Sequence, residues 1–156
     1  MSSRVSPRKS SRTIGSLLRI AYASLAEEYA RWLASSPYKN IQPAHAAALQ
    51  PLSERPDGLR LTALAQTARI TKQSMGALVD SLEAWGYVER VKDPDDGRAS
   101  RVRLTARGRR FARDARAFSR EVEARIAEHM GQRKLEELRA GLELLAGSDG
   151  DAISPA

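Results

Sequence analysis

Apolar residues recur at intervals of three and four along the first part of the chain, starting at Ile14. This period is typical of a helix with one buried face. The apolar positions are Ile14, Leu17, Leu18, Ala21, Leu25, Tyr29, Trp32 and Leu33. We expect the helix to end near Ser35, because Pro37 disfavours helical geometry in the residue before it.

A short second helix and a turn are predicted next. Pro43 suits the first position of a helix, because its fixed φ is already helical, and the apolar body of this helix covers 46–52. Pro56 and Gly58 then mark a turn over 54–58.

The middle of the chain has the pattern of two helices joined by a tight turn. Thr62 can cap the first helix, which should end near Arg69, and Thr71 can cap the second. The second helix has one apolar stripe, formed by Met75, Leu78, Val79 and Leu82. Glycine is common just past a helix end, so Gly86 predicts that this helix runs from about Lys72 to Trp85.

A β-hairpin is predicted after that helix. Residues 87–91 and 101–104 have strand character, and a turn-rich loop joins them. Residues 59–61 are extended enough to make one more short strand. The order of helix, turn, helix and hairpin predicts a winged helix-turn-helix over 43–104. The predicted fold class is therefore mainly α with a small β wing (α+β).

Two more helices are predicted after Thr105, which can cap the first of them, and Gly131 separates the two. Their apolar positions are Phe111, Ala115, Phe118, Val122 and Ile126, then Leu135, Leu138, Leu142 and Leu145. Little other material is left to cover these narrow seams. We therefore expect residues 13–36 and 105–146 to be N- and C-terminal dimerisation helices of a homodimer, with an intramolecular bundle as the alternative.

The composition excludes several classes of protein. The chain has no cysteine, which rules out disulfides and cysteine-based zinc sites, and this is compatible with the cytoplasm, where we expect the protein to act. No apolar run approaches the roughly 20 residues that span a bilayer. No metal-ligand cluster, phosphate loop or nucleophile motif is present, so we expect no cofactor, no bound metal and no enzyme activity.

The net charge of +7 is concentrated in two segments. Residues 1–12 hold four basic residues and no acid, and residues 98–120 hold nine arginines and the single acid Asp114. Clustering of this kind is typical of a protein that binds a polyanion, although a solvated helix face is the alternative. Residues 1–12 and 147–156 are predicted to be disordered tails.

The helix over 72–85 can enter the major groove of double-stranded DNA, where base edges are distinguishable. At about 100° per residue, the face opposite its apolar stripe carries Gln73, Ala77, Asp80 and Ala84. The predicted contacts are Thr71, Lys72, Gln73, Ser74, Gly76 and Ala77. Gln73 can pair with an adenine edge, while Gly76 either permits close approach or is merely tolerated. Asp80 would repel phosphate, so we expect it to lie away from the DNA backbone or to pair with a neighbouring basic residue such as Arg69.

The predicted wing supplies arginines. Arg98 can reach the narrow minor groove, with Asp96 near enough to orient its guanidinium, and a solvent-exposed arginine is the alternative. Arg101 and Arg103 share one face of their strand and can hold phosphates, as can Arg107.

Residues 61–108 resemble the MarR family of bacterial transcriptional regulators. The matching segments are LTALAQTARITKQSMGALVDSLEAWGYVERV, DPDDGRASRVRLT and LTARG. The resemblance implies a dimer whose terminal helices form the interface and whose winged domains bind an inverted repeat. It also implies that Asp96 and Arg98 occupy the family's wing positions. Trp85, Gly76 and Ala77 depart from the common pattern and leave the operator sequence open.

The same resemblance implies release from DNA by a small, often aromatic, anion. Tyr22, Tyr29, Trp32, Tyr38 and His45 can line a pocket for such a ligand, although an aromatic stripe on a helix is more often core. The sequence thus predicts a dimeric repressor. The alternative is an architectural or protein-interaction winged helix that has no specific operator.

Overall fold

The computed structural model describes residues 11–147 and divides into two units, one ending at Gly108 and one starting at Arg109. The predicted tails, 1–12 and 147–156, lie almost wholly outside the described residues. None of the helices within the described range is long and apolar enough to cross a membrane.

The first unit begins with helix α1 (Ile14–Ser35), whose first turn is capped by Thr13. The bounds agree with the prediction from Pro37. Only Leu33 of this helix is buried, while several apolar side chains stay exposed: Ile14, Leu17, Leu18, Ile20, Tyr22 and Leu25. The apolar stripe of α1 is therefore largely uncovered within its own unit.

Five short elements follow α1. They are a 3-10 turn (Pro43–His45), α2 (Ala46–Ser53), β1 (Leu59–Arg60), α3 (Leu61–Ala68) and α4 (Lys72–Ala84). Pro43 stands at the start of the 3-10 turn, as predicted.

The prediction that Thr62 caps α3 is wrong. The backbone turns helical one residue earlier, directly after the extended Arg60, so Thr62 lies exposed inside the first turn.

The wing is a three-stranded antiparallel sheet. Strand β3 (Ser100–Leu104) lies between β1 and β2 (Val88–Lys92), with Val102 opposite both Leu59 and Arg90. The core of this unit lies where the sheet meets α2, α3 and α4. Its most deeply buried side chains are Leu49, Leu52, Leu64, Met75, Val79, Leu82, Tyr87, Val88 and Val102.

Helix α5 (Ala106–Met130) begins against the wing. Thr105 Oγ1 accepts a hydrogen bond from the Gly108 amide at 3.1 Å and donates to the Gly86 carbonyl at 2.6 Å, so the predicted cap is confirmed. Gly131, with φ of +90°, separates α5 from α6 (Gln132–Ala146), also as predicted. No side chain of α6 is buried, and Leu138, Leu142 and Leu145 remain exposed in the second unit.

Gly108 allows the first turn of α5 to approach β2 closely. A Cβ at this position would overlap the Tyr87 carbonyl oxygen and lie 3.1 Å from Leu104 Cδ2. Backbone cannot move aside as a flexible side chain can, so only glycine fits here.

We predict that Gly108→Ala lowers the free energy of unfolding by about 1–3 kcal/mol, the usual cost of overpacking. Gly76→Ala is the control, because its Cβ would lie 3.9 Å from Leu61 Cδ2, an ordinary contact. This change should raise stability by about 1 kcal/mol through helix propensity. Urea denaturation at one protein concentration measures both, and equal stability of the two variants would contradict the close approach.

Candidate DNA interface

Helix α4 presents one buried and one exposed face. Met75, Val79 and Leu82 are fully buried, and the opposite residues Gln73, Ala77, Asp80 and Ala84 are all exposed. The helix ends at Ala84 with Trp85 as its C-cap, close to the predicted boundary. The predicted division between a core face and a free face is therefore confirmed.

The first turn of α4 is held by its cap. Thr71 Oγ1 accepts from the Ser74 amide at 3.1 Å and lies 2.8 Å from Ser74 Oγ. Lys72 and Gln73 are exposed and bond to no other described residue. Gly76 is half-buried, and the direction of its missing Cβ is toward Leu61 of α3. Lys72 and Gln73 are therefore the side chains of this turn that remain available to a ligand.

An arginine of the wing neutralises the acids of α4. Arg90 on β2 contacts Glu83 through Nη1 and Asp80 through Nη2, the latter at 2.5 Å. The prediction that Asp80 pairs with a basic residue is confirmed, but that residue is Arg90 and not Arg69. The antiparallel return of β2 along α4 brings Arg90 closer instead. Asp80 therefore lies on the exposed face of α4 as one partner of an ion pair with Arg90.

Asp93 is the buried carboxylate of the wing, and sequence reasoning missed it. Its side chain is fully buried, 2.6 Å from Arg60 Nε and 3.1 Å from Arg101 Nε, and it accepts from the Asp95 amide at 2.9 Å. The hydrogen bond from Arg60 and the ion pair with Arg101 hold the pKa of Asp93 well below its usual range. This one carboxylate thus joins β1, β3 and the wing loop.

Asp96 and Arg98 do not interact in the way the sequence predicted. Asp96 Oδ1 accepts from the backbone amide of Arg98 at 3.1 Å, and its other oxygen lies 3.8 Å from Arg60 Nη2. The guanidinium of Arg98 is exposed and pairs with no other described residue. Asp96 therefore shapes the turn and leaves the Arg98 side chain free.

The other arginines of the wing have partners within the chain. Arg101 Nη2 donates to Asp95 at 2.7 Å, and Arg103 Nε donates to Glu89 at 2.8 Å. Arg107 donates to the Trp85 carbonyl at 2.9 Å, and its guanidinium lies 4.5 Å from the centre of the Tyr87 ring. Of these wing arginines, Arg98 is the one whose guanidinium has no partner in the described chain.

The predicted ligand-binding aromatics fall into two groups in the first unit. Tyr29 stacks on Trp32 at 5.5 Å between ring centres, and Trp32 and Tyr87 each lie 6.3 Å from Tyr38. Burial raises the pKa of Tyr29 to about 12. Tyr22 is 72% exposed and takes no part in these described ring contacts. Tyr87 is a member of this cluster that the sequence did not indicate.

His45 forms the second group with Trp85, at 5.2 Å between ring centres. Burial lowers the pKa of His45, and its Nδ1 accepts from the Gln42 amide at 3.0 Å. The acceptor role requires a neutral imidazole, which suits a structural contact. No group of three or more potential metal ligands occurs within residues 11–147.

Sequence comparison identifies the class of protein to which this geometry belongs. Residues 39–99 match the model of the MarR family. The HTH-type transcriptional repressor Rv2887 of Mycobacterium tuberculosis is 38% identical over 101 residues, which cover 65% of this chain and 71% of that repressor. The chain belongs to the MarR family.

Solved structures of similar proteins agree with this assignment. That of Rv2887 with salicylic acid is 31% identical, with a TM-score of 0.65, and the match covers 86% of this chain and 96% of that one. CouR from Rhodococcus jostii RHA1, bound to p-coumaroyl-CoA, is 25% identical, with a TM-score of 0.76 and coverage of 90% and 97%. CouR on a 23-mer DNA duplex is 27% identical, with a TM-score of 0.73 and coverage of 86% and 93%.

Family membership confirms the fold class and the resemblance drawn from the sequence. This MarR-family chain is a DNA-binding transcriptional regulator with a winged helix-turn-helix, and it is not an enzyme. The alternative of a purely architectural winged helix is set aside on the same ground.

The buried carboxylate makes the stability of this regulator depend on pH. A depressed pKa in the folded state contributes stability that is present above the unfolded pKa of about 3.9 and is lost as the pH falls through the folded value. Asp93→Asn removes that charge with little change of shape. We predict that the variant melts well below the parent at pH 7, and that the gap narrows progressively below about pH 4.

Thermal melts followed by circular dichroism from pH 3 to pH 7 measure this gap. Asp57→Asn is the control, because Asp57 is exposed and has no ion-pair partner in the described chain. A gap for Asp93→Asn that stays constant across the whole range would contradict the role of the carboxylate.

Proposed function

We propose that this chain is a homodimeric repressor that binds an inverted repeat and leaves it when a small aromatic or anionic ligand binds. The observation that carries the proposal is the free guanidinium of Arg98 at the tip of a wing whose other arginines are paired. A cation held at a loop tip and left without a partner is suited to the negative potential of the minor groove.

Base selection is assigned to the first turn of α4. Gln73 lies on the exposed face and can bond an adenine edge, while Ala77 can contact a thymine methyl. Lys72 and the capped pair Thr71 and Ser74 serve phosphates or bases at the positive end of the helix dipole. We propose that Gly76 lets α4 approach DNA closely. The Cβ that it lacks would face α3.

Phosphate contacts are assigned to Arg101 and Arg103. Their side chains are 23% and 45% exposed, and each already pairs with an acid. Such a pair holds the guanidinium in place and leaves other N–H donors for a phosphate, because arginine has five of them. Asp96 contributes by fixing the backbone that carries Arg98.

The dimer is proposed from the exposed apolar side chains. Leu17, Leu18 and Leu25 on α1, and Leu138, Leu142 and Leu145 on α6, are each about two-fifths exposed. Contiguous exposed apolar stripes usually mark a protein–protein interface. A second copy of the chain is the occupant that an inverted repeat requires. We propose the cytoplasm as the location of this dimer, because that is where a bacterial transcriptional regulator meets its DNA.

The ligand is proposed from the aromatic cluster. Tyr29, Trp32 and Tyr38 form a contiguous aromatic cluster, in which Tyr38 is buried, and the buried Tyr87 joins it to the cation of Arg107. Aromatic faces beside a guanidinium suit an aromatic anion. Two relatives have been solved with salicylic acid and with p-coumaroyl-CoA, which supports a ligand of this chemistry.

Selection of bound fragments from the host genome tests the function. A specific repressor should select one inverted repeat and hold it against random duplex by a factor of about 10³ or more at physiological salt. Equal competition by random duplex would overturn sequence-specific repression. Addition of an aromatic acid should release the selected duplex.

Three single variants separate the roles of the wing and the helix. We predict that Arg98→Ala weakens binding by about 1–3 kcal/mol on operators with A·T-rich flanks, and less on G·C-rich flanks. Arg98→Lys keeps the charge and should retain part of the affinity.

Gln73→Ala should relax preference at one base pair of each half-site by about 1–3 kcal/mol. Fluorescence anisotropy on matched duplexes measures the affinity of each variant. An equal loss of affinity on every sequence would show that Arg98 and Gln73 contact phosphates and not bases.

A further inference from the structure

Four arginines form a line along the first half of α5. Arg109, Arg113, Arg116 and Arg120 are spaced by four, three and four residues, and all four are exposed. At about 100° per residue, they fall within an arc of about 60°. We call this line the arginine stripe, and it lies wholly within the second unit.

The arginine stripe lies opposite the apolar face of its helix. Phe111 and Val122 are buried, Phe118 is half-buried, and all three lie on the far side of the helix from the stripe by the same periodicity. Packing of the apolar face therefore leaves the arginines turned away from it.

Two of the four arginines in the stripe have no acid partner in the described chain. Arg113 and Arg120 make no ion pair with any described residue. Glu123 lies three residues after Arg120 on the same side of the helix, but it pairs with Arg139 of α6 at 2.8 Å. Like charges three or four residues apart destabilise a helix, so the stripe favours a ligand that relieves the repulsion.

The repeat of the stripe suits a chain of phosphates. Neighbouring Cβ atoms at spacings of three and four residues are roughly 5–6 Å apart, and the stripe is about 16 Å long. Double-stranded DNA carries one charge per about 1.7 Å of its axis, and the guanidinium fork bonds phosphate oxygens in pairs. A small anion would engage one or two of the arginines, whereas a polyanion engages the line.

We propose that the arginine stripe binds the phosphate backbone of duplex DNA, in addition to the contacts of α4 and the wing. This inference rests on the proposed function in taking DNA as the partner. Because phosphates carry no sequence information, the stripe adds affinity to operator and random duplex alike.

The salt dependence of binding tests the stripe directly. Each phosphate contact contributes about 0.9 to the slope of log K against log salt. Arg113→Gln/Arg120→Gln should therefore lower the slope by about two if one protomer engages DNA, and by about four if both do. The loss should be equal on operator and random duplex. Glutamine keeps a helix propensity close to that of arginine.

The matched control is Arg133→Gln/Lys134→Gln, which removes the same charge from exposed positions on α6. It should leave the slope within about 0.5 of the parent, below one phosphate contact. Circular dichroism and light scattering verify that fold and oligomeric state persist. An unchanged slope in the stripe variant, or an equal change in the control, overturns the inference. If the parent shows no preferred sequence but the stripe variant still lowers the slope, the repressor proposal fails and the stripe stands.

Discussion

The buried carboxylate of Asp93 is the interaction on which the wing depends. It is fully buried, and the guanidinium groups of Arg60 and Arg101 satisfy it from two different strands. A buried charge without partners would be strongly unfavourable, so the carboxylate requires both strands to be in place. The residue that starts the wing loop therefore also fixes the sheet from which the loop extends.

The arginines in and around the wing differ in whether they have a partner within the chain. Arg60, Arg90, Arg101 and Arg103 pair with acids of the chain, and Arg107 bonds backbone and an aromatic face. The guanidinium of Arg98 has no partner in the described chain. Rich basic composition alone therefore overstates how much positive charge this domain offers to a ligand. The distribution of acids decides which cations remain free.

Much of the fold could be predicted because its signals are local. Pro37, Thr71, Thr105 and Gly131 set helix boundaries through their own backbone chemistry, and the burial of Met75, Val79 and Leu82 follows from helical periodicity. These features need no knowledge of distant residues.

The ion pairs of the site could not be predicted in the same way. Asp93 is one of three aspartates in four residues, and only the pairing of Arg60 with Arg101 across β1 and β3 singles it out. Arg90 reaches Asp80 because β2 returns along α4. The cap of α3 failed as a prediction because β1 runs directly into the helix, leaving no residue free to act as a side-chain cap. The aromatic set was found in part, since Tyr87 enters it only through tertiary packing.

The hairpin of the wing is anchored at its base and open at its tip. Thr105 bonds the Gly86 carbonyl, Gly108 fits against Tyr87, and β2 pairs with β3 over five residues, while the side chains from Pro94 to Arg98 are exposed. Exposed loop tips tolerate insertions well, because lengthening a loop adds little closure entropy. The reach of Arg98 is consequently an adjustable length. Under the proposed function, a longer or shorter loop would change how far Arg98 extends along the duplex, without rebuilding the domain that carries it.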